Sequence, residues 1–111
     1  MANPSQRLLP SSCVDVHRLA GIAPEVSQFL RLFSGETRLR MLLYLYERER
    51  TSGELKKCLN VSQPIVVRIL SEFRYTGAVA SFRKGRATYY KIVDGRVHDQ
   101  VALLHHIFSA E

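Results

Sequence analysis

Seven charged side chains between Ser62 and Ile92 set the chemistry open to this chain. Six are cations (Arg68, Arg74, Arg83, Lys84, Arg86 and Lys91) and one is an anion, Glu72. That stretch is under a third of the 111 residues yet carries +5 of the formal net charge of +6. Charge concentrated in this way is the footprint of a polyanion-binding surface, because each lysine or arginine that meets a phosphate releases a condensed counterion. A merely solvated basic surface is the plainer alternative.

Two smaller groups could also do chemistry. Cys13 and Cys58 are the only cysteines. Two thiols make no disulfide scaffold, and isolated cysteines usually pack as small apolar residues. Brought together, within one chain or across two, they would form a thiol switch or part of a soft-metal site, although a third ligand is missing. Asp94, His98 and His105 are separated by four and seven residues, so they share one helical face. Carboxylate and imidazole ligands suit zinc or nickel, completed across a two-fold axis, whereas hydrogen-bonded interface histidines are the commoner case. His17 and His106 have no evident partner. There is no Gly-rich phosphate loop, HExxH helix, nucleophile elbow or paired acid, so no enzyme is expected, and no cofactor is needed for the fold.

The basic segment must be positioned by a helix and a hairpin. Ser62 to Gly77 reads as one helix with both ends marked: Ser62 as a capping hydroxyl, Pro64 where a missing N–H costs nothing, and Gly77 as the left-handed terminator. Val66, Ile69, Leu70 and Phe73 form its buried stripe, leaving Gln63, Pro64, Val67, Arg68, Ser71 and Arg74 outside. Such a helix suits the major groove of DNA. Upstream, Thr51-Ser52-Gly53-Glu54 is a capping box opening a short helix, Ser52 to Leu59, closed by Asn60. A short helix, a turn and a longer helix make a helix-turn-helix. After Gly77 the period falls to two. Val79–Arg83 and Ala87–Ile92 are strand-like, with Lys84-Gly85-Arg86 as the turn.

The remaining elements frame this unit. A weak helical turn falls within Cys13–Ala20. A clearer helix starts at Pro24, with Val26, Phe29, Leu30 and Phe33 as its stripe. Another runs from Glu36 to about Arg48, capped by Ser34, with Leu39, Leu42, Leu43 and Tyr46 recurring at helical spacing. The last, Arg96 to about Ser109, presents Val97, Val101, Leu104 and Phe108, a face that suits pairing with its own copy. The expected class is therefore mainly α with a small β-hairpin (α+β), a winged helix-turn-helix in the order α-α-α-α-β-β-α. One domain is expected over residues 13–111, with a flexible tail over 1–12. No apolar run reaches membrane-spanning length and the start lacks an export signal, so a cytoplasmic protein with no membrane partner is expected.

The chain resembles the ArsR/SmtB family of bacterial metal- and stress-sensing repressors. The residues that carry the resemblance are Leu32 to Arg40, Glu54-Leu55, Ser62-Gln63, then Val66, Arg68, Leu70, Arg74 and Gly77, and the wing from Arg83 to Lys91. It covers roughly Phe29 to Ile92. The resemblance implies a homodimer joined by its first and last helices on a near-palindromic double-stranded operator, released by a metal or metalloid such as zinc, nickel or arsenite, by thiol oxidation or by another stress signal. Carried over residue by residue, operator-reading positions are Ser62, Gln63, Pro64, Val67 and Arg68. Gln63 can pair with adenine, Pro64 or Val67 can meet a thymine methyl, and Arg68 and Arg74 meet phosphates. Arg83, Lys84 and Arg86 would touch the backbone or minor groove. Pro64, Val67 and Ile69 stand where the family commonly has Ser, Ser and His, which shifts the expectation toward methyl contacts and DNA shape. Thr51 and Gly53 occupy the family's Cys-x-Cys positions, and Arg96 the first histidine of its Asp-x-His. Two alternatives stay open: a winged helix without its own sensor site, and a protein-interaction module.

Overall fold

The computed structural model describes residues 13–109; the tail expected over residues 1–12 lies outside them. Two short helices come first. α1 (Val16–Gly21) is capped by Asp15, whose carboxylate accepts the Arg18 amide at 3.0 Å. α2 (Ala23–Arg31) carries Pro24 in its first turn, where no donor is required. Neither helix buries a residue in the protomer. Phe29 and Phe33 are half-buried against the core, with rings 5.5 Å apart, while Leu30 stays exposed.

The turn into α3 (Glu36–Glu47) differs from expectation. Gly35, not Ser34, holds the N-cap position, at φ 92° and without a side-chain cap bond. That backbone shape is one that a serine would adopt only with strain. The buried face of α3 is Met41, Leu42 and Leu45, whereas Leu43 and Tyr46 are exposed. The helix is apolar on two sides, and the stripe read from spacing straddles both, with Leu42 in the core and Leu43 and Tyr46 facing out.

β1 (Arg50–Thr51) leads directly into α4 (Ser52–Leu59). The capping box forms: Glu54 N–H donates to Thr51 Oγ1 at 3.1 Å, and Thr51 N–H to Glu54 Oε1 at 2.9 Å. Asn60, at φ 55°, ends α4 in the left-handed region. α5 (Gln63–Tyr75) follows, buried along Val66, Ile69, Leu70 and Phe73. It closes in a Schellman motif, with Ala78 N–H on Phe73 O at 3.0 Å and Gly77 N–H on Arg74 O at 3.1 Å around a Gly77 φ of 85°.

β2 (Val79–Lys84) and β3 (Ala87–Ile92) form the hairpin, and β1 adds to β3 in the order β1-β3-β2. All pairings are antiparallel, from Val79↔Ile92 to Lys84↔Ala87, with Arg50↔Tyr90 and Thr51↔Tyr89 on the other side. α6 (Gly95–Phe108) is capped by Asp94. One core joins these parts, with Phe73, Met41, Leu42, Leu55, Val66 and Val97 its most buried large side chains. No described helix is long and apolar enough to cross a membrane.

Candidate nucleic-acid interface

α5 buries one face and opens the other. Pro64, Val67, Arg68, Ser71 and Arg74 are exposed, and Val67 keeps 48% of its surface. Ile69 is buried at 2% exposure, as its place in the stripe with Val66, Leu70 and Phe73 implies, so of the three apolar departures from the family pattern only Pro64 and Val67 lie on the open edge. The helix spacing that puts it beside Val66 and Phe73 turns it inward. Ser62 holds the N-cap position, yet its hydroxyl makes no capping bond. An N-cap oxygen accepts from the second or third helical amide; the second residue here is Pro64, which has none, and the third, Ile65, makes no bond to the Ser62 hydroxyl. Ser62 is exposed at the leading end. Gln63 is half-buried, and its Nε2 donates to Ser52 Oγ at 3.2 Å, tying the starts of α4 and α5 together.

The wing is ordered by cations on aromatic rings. Phe82 and Tyr89 are opposite each other and stack at 5.9 Å; Lys91 Nζ lies 5.3 Å from the Phe82 centroid and Lys84 Nζ 5.4 Å from that of Tyr89. Lys84 also reaches Glu49 Oε1 at 3.1 Å, so part of its charge is already answered. Arg83 and Arg86 are exposed, Arg83 making only a 3.4 Å bond to Thr88 Oγ1. Gly85 has φ 65° and Arg86 does not share the sign, the demand of a type II′ turn.

Arg50 is a buried residue that holds the elements of the site together, and it is not among the residues singled out from the sequence. It is 6% exposed, donates through Nε to Tyr44 O at 2.9 Å, pairs with Glu47, and lies over the Tyr44 ring. Its Nη1 is 3.8 Å from Cys58 Sγ. One guanidinium thus joins the end of α3, the sheet and α4. Arg38 is a second: it spans 34 residues to Glu72, with Nε and Nη2 on Oε1 at 3.0 and 2.6 Å. That pair fixes α5 against α3.

The other candidate groups are placed as follows. Cys13 is exposed ahead of α1 and Cys58 half-buried in α4, both as free thiols. Asp94 caps α6 through the Arg96 amide at 2.9 Å and binds the Arg96 guanidinium at 2.8 Å. Arg96 hydrogen bonding holds the Asp94 carboxyl below its ordinary range. His98 packs on Tyr46 with ring centroids 5.1 Å apart. Among the described residues no three His, Cys, Asp or Glu side chains come together as metal ligands, so an ion at Asp94, His98 and His105 would need a second copy of the chain.

Residues 35–77, from the left-handed Gly35 to the left-handed Gly77, match the family model described as bacterial regulatory protein, arsR family. The Biofilm growth-associated repressor of Xylella fastidiosa (strain 9a5c) is 29% identical over 89 residues, spanning 80% of this chain and 78% of that one. A probable mercury resistance operon repressor of Streptomyces lividans is 36% identical over 77 residues, 69% of this chain and 62% of that protein. The crystal structure of the transcriptional repressor BigR from Xylella fastidiosa superposes with a TM-score of 0.78 at 26% identity, covering 88% of this chain and all of that one.

Proposed function

Because the chain belongs to the arsR family of bacterial regulatory proteins, we propose that it acts in the cytoplasm as a homodimeric repressor, setting two copies of α5 into successive major grooves of an operator. The chain is a DNA-binding transcriptional regulator. The observation that carries the finer reading is the split of α5 into a buried stripe and an open edge of Pro64, Val67, Arg68, Ser71 and Arg74, with the exposed Arg83 and Arg86 beyond it. On this reading, Gln63 and Ser62 lead into the groove, Pro64 and Val67 offer apolar contact to thymine methyls, and Arg68 and Arg74 meet phosphates. The wing cations Arg83, Lys84 and Arg86 hold the flanking backbone or minor groove, with Lys84 weaker than its neighbours because Glu49 already engages it. Dimerisation is supported by α1 and α2, which bury nothing in the protomer, and by the exposed Ile107 and Phe108 at the end of α6.

The test compares variants on a duplex selected for tight binding and on random duplex. Arg83→Ala with Arg86→Ala should weaken both similarly. Gln63→Ala should cost about 1–3 kcal/mol on the selected duplex and much less on random DNA. Equal losses on the two duplexes for Gln63→Ala would remove its reading role.

A further inference from the structure

Resting on that assignment of α5 to DNA, we propose that the cleft beside α5 is a second backbone-phosphate seat, in which Arg31 at the end of α2 and Arg68 on α5 grip one phosphate of the duplex from two sides. The open cleft, about 670 Å³, lies between the end of α2, the first turn of α3 and the outer face of α5, and its lining includes Arg31, Arg38, Arg68, Ser71, Glu72 and Tyr75. Its one lining carboxylate, Glu72, is occupied on a single oxygen by two donors of Arg38. The charge that would repel a phosphate is thereby answered inside the protein. Arg31 and Arg68 are exposed and make no ion pair among the described residues. Three arginines against one glutamate leave the cleft at +2. Ser71 and the Tyr75 hydroxyl, on a residue 92% exposed, add neutral donors on the same side.

The partner follows from position. The cleft shares Arg68 and Ser71 with the open edge of α5, so a duplex lying along that edge brings its sugar-phosphate strand across the cleft mouth. A fork of guanidinium donors on each side matches the geometry of a phosphodiester. Arg31 thus carries the footprint beyond the helix-turn-helix and wing onto α2, and Arg38 with Glu72 acts as the positioning pair that frees Arg68.

The test measures affinity for a fixed duplex as a function of salt. Arg31→Ala should lower the slope of log affinity against log salt by about 1 per protomer, with loss on selected and random DNA alike. Arg40→Ala makes the same charge change on an exposed site paired with Glu36, and should leave the slope unchanged. If the two arginines share one phosphate, Arg31→Ala combined with Arg68→Ala loses no more slope than either alone, a non-additivity that a merely summed charge effect lacks. Parent-like slope for Arg31→Ala, or equal reductions for Arg31→Ala and Arg40→Ala, overturns the seat while wing variants still report DNA binding. If the wing double variant also keeps the parent slope, the DNA-facing assignment itself fails and the seat falls with it.

Discussion

Asp94 serves as helix cap and as counter-ion at once, and both roles depend on its charge. Its carboxylate accepts the Arg96 amide and guanidinium, and those hydrogen bonds hold its pKa below the ordinary value near 4. A lowered folded-state pKa gives stability that is present above the unfolded value and lost as pH falls through the lowered one. The parent should therefore melt higher than Asp94→Asn at pH 6, with the gap closing below about pH 4. A gap that stays constant from pH 6 to about pH 2 would show that Asp94 acts by shape alone. The same residue illustrates what side-chain type hides: a carboxylate spaced from two histidines looks like a ligand, and its local partner, two residues on, takes it first.

At the scale of elements, the helix-turn-helix was legible because its signals are local. The Thr51–Glu54 capping box, the left-handed Asn60 and Gly77, and the inward period of Val66, Ile69, Leu70 and Phe73 all lie within a few residues of the structure they specify. What was not legible depends on partners far along the chain. β1 is two residues long and exists only because β3 is there to pair with it. α3 has two apolar faces, and only the placement of α4, α5 and α6 decides which is core. The Arg38–Glu72 pair and the Lys84–Glu49 pair join positions over 30 residues apart. Arg50 was illegible for another reason, since its partners Tyr44, Glu47 and Cys58 lie within eight residues but follow no single helix or strand period, and it yields a stability prediction. Arg50→Ala removes the guanidinium from Tyr44 O, which keeps the Arg48 amide at 3.3 Å, and from Glu47, which is 68% exposed, so it should cost about 1–2 kcal/mol in denaturant unfolding. A cost below about 0.5 kcal/mol, the level of an ordinary surface change, would mean that the guanidinium does not hold α3, α4 and the sheet together.

At the scale of the whole molecule, the described residues leave apolar surface uncovered. Leu39, Leu43, Tyr46, Leu104 and Phe108 line a groove of about 660 Å³ between α3 and α6 over the buried Val101, and Val16, Leu19 and Leu30 are exposed on α1 and α2. Phe108 keeps 77% of its surface. In the proposed dimer, a second copy covering these faces would set the distance between the two α5 helices, which a two-site operator requires to be close to one helical turn of DNA, about 34 Å. Leu30→Asp and Phe108→Asp alter exposed positions, so each should convert a sedimenting dimer into a folded monomer. A monomeric parent, or dimers that persist in both variants, would contradict this assembly.

The central claim is that this basic, half-buried helix and its wing bind DNA through phosphates. Its most direct measurement is the affinity of the unmodified protein for duplex DNA across salt concentration. With several arginines from each protomer on the backbone, affinity should fall by about a thousandfold or more between roughly 50 and 200 mM salt. A fall of less than about tenfold over that range would contradict the phosphate footprint and point to a module that holds a protein partner instead.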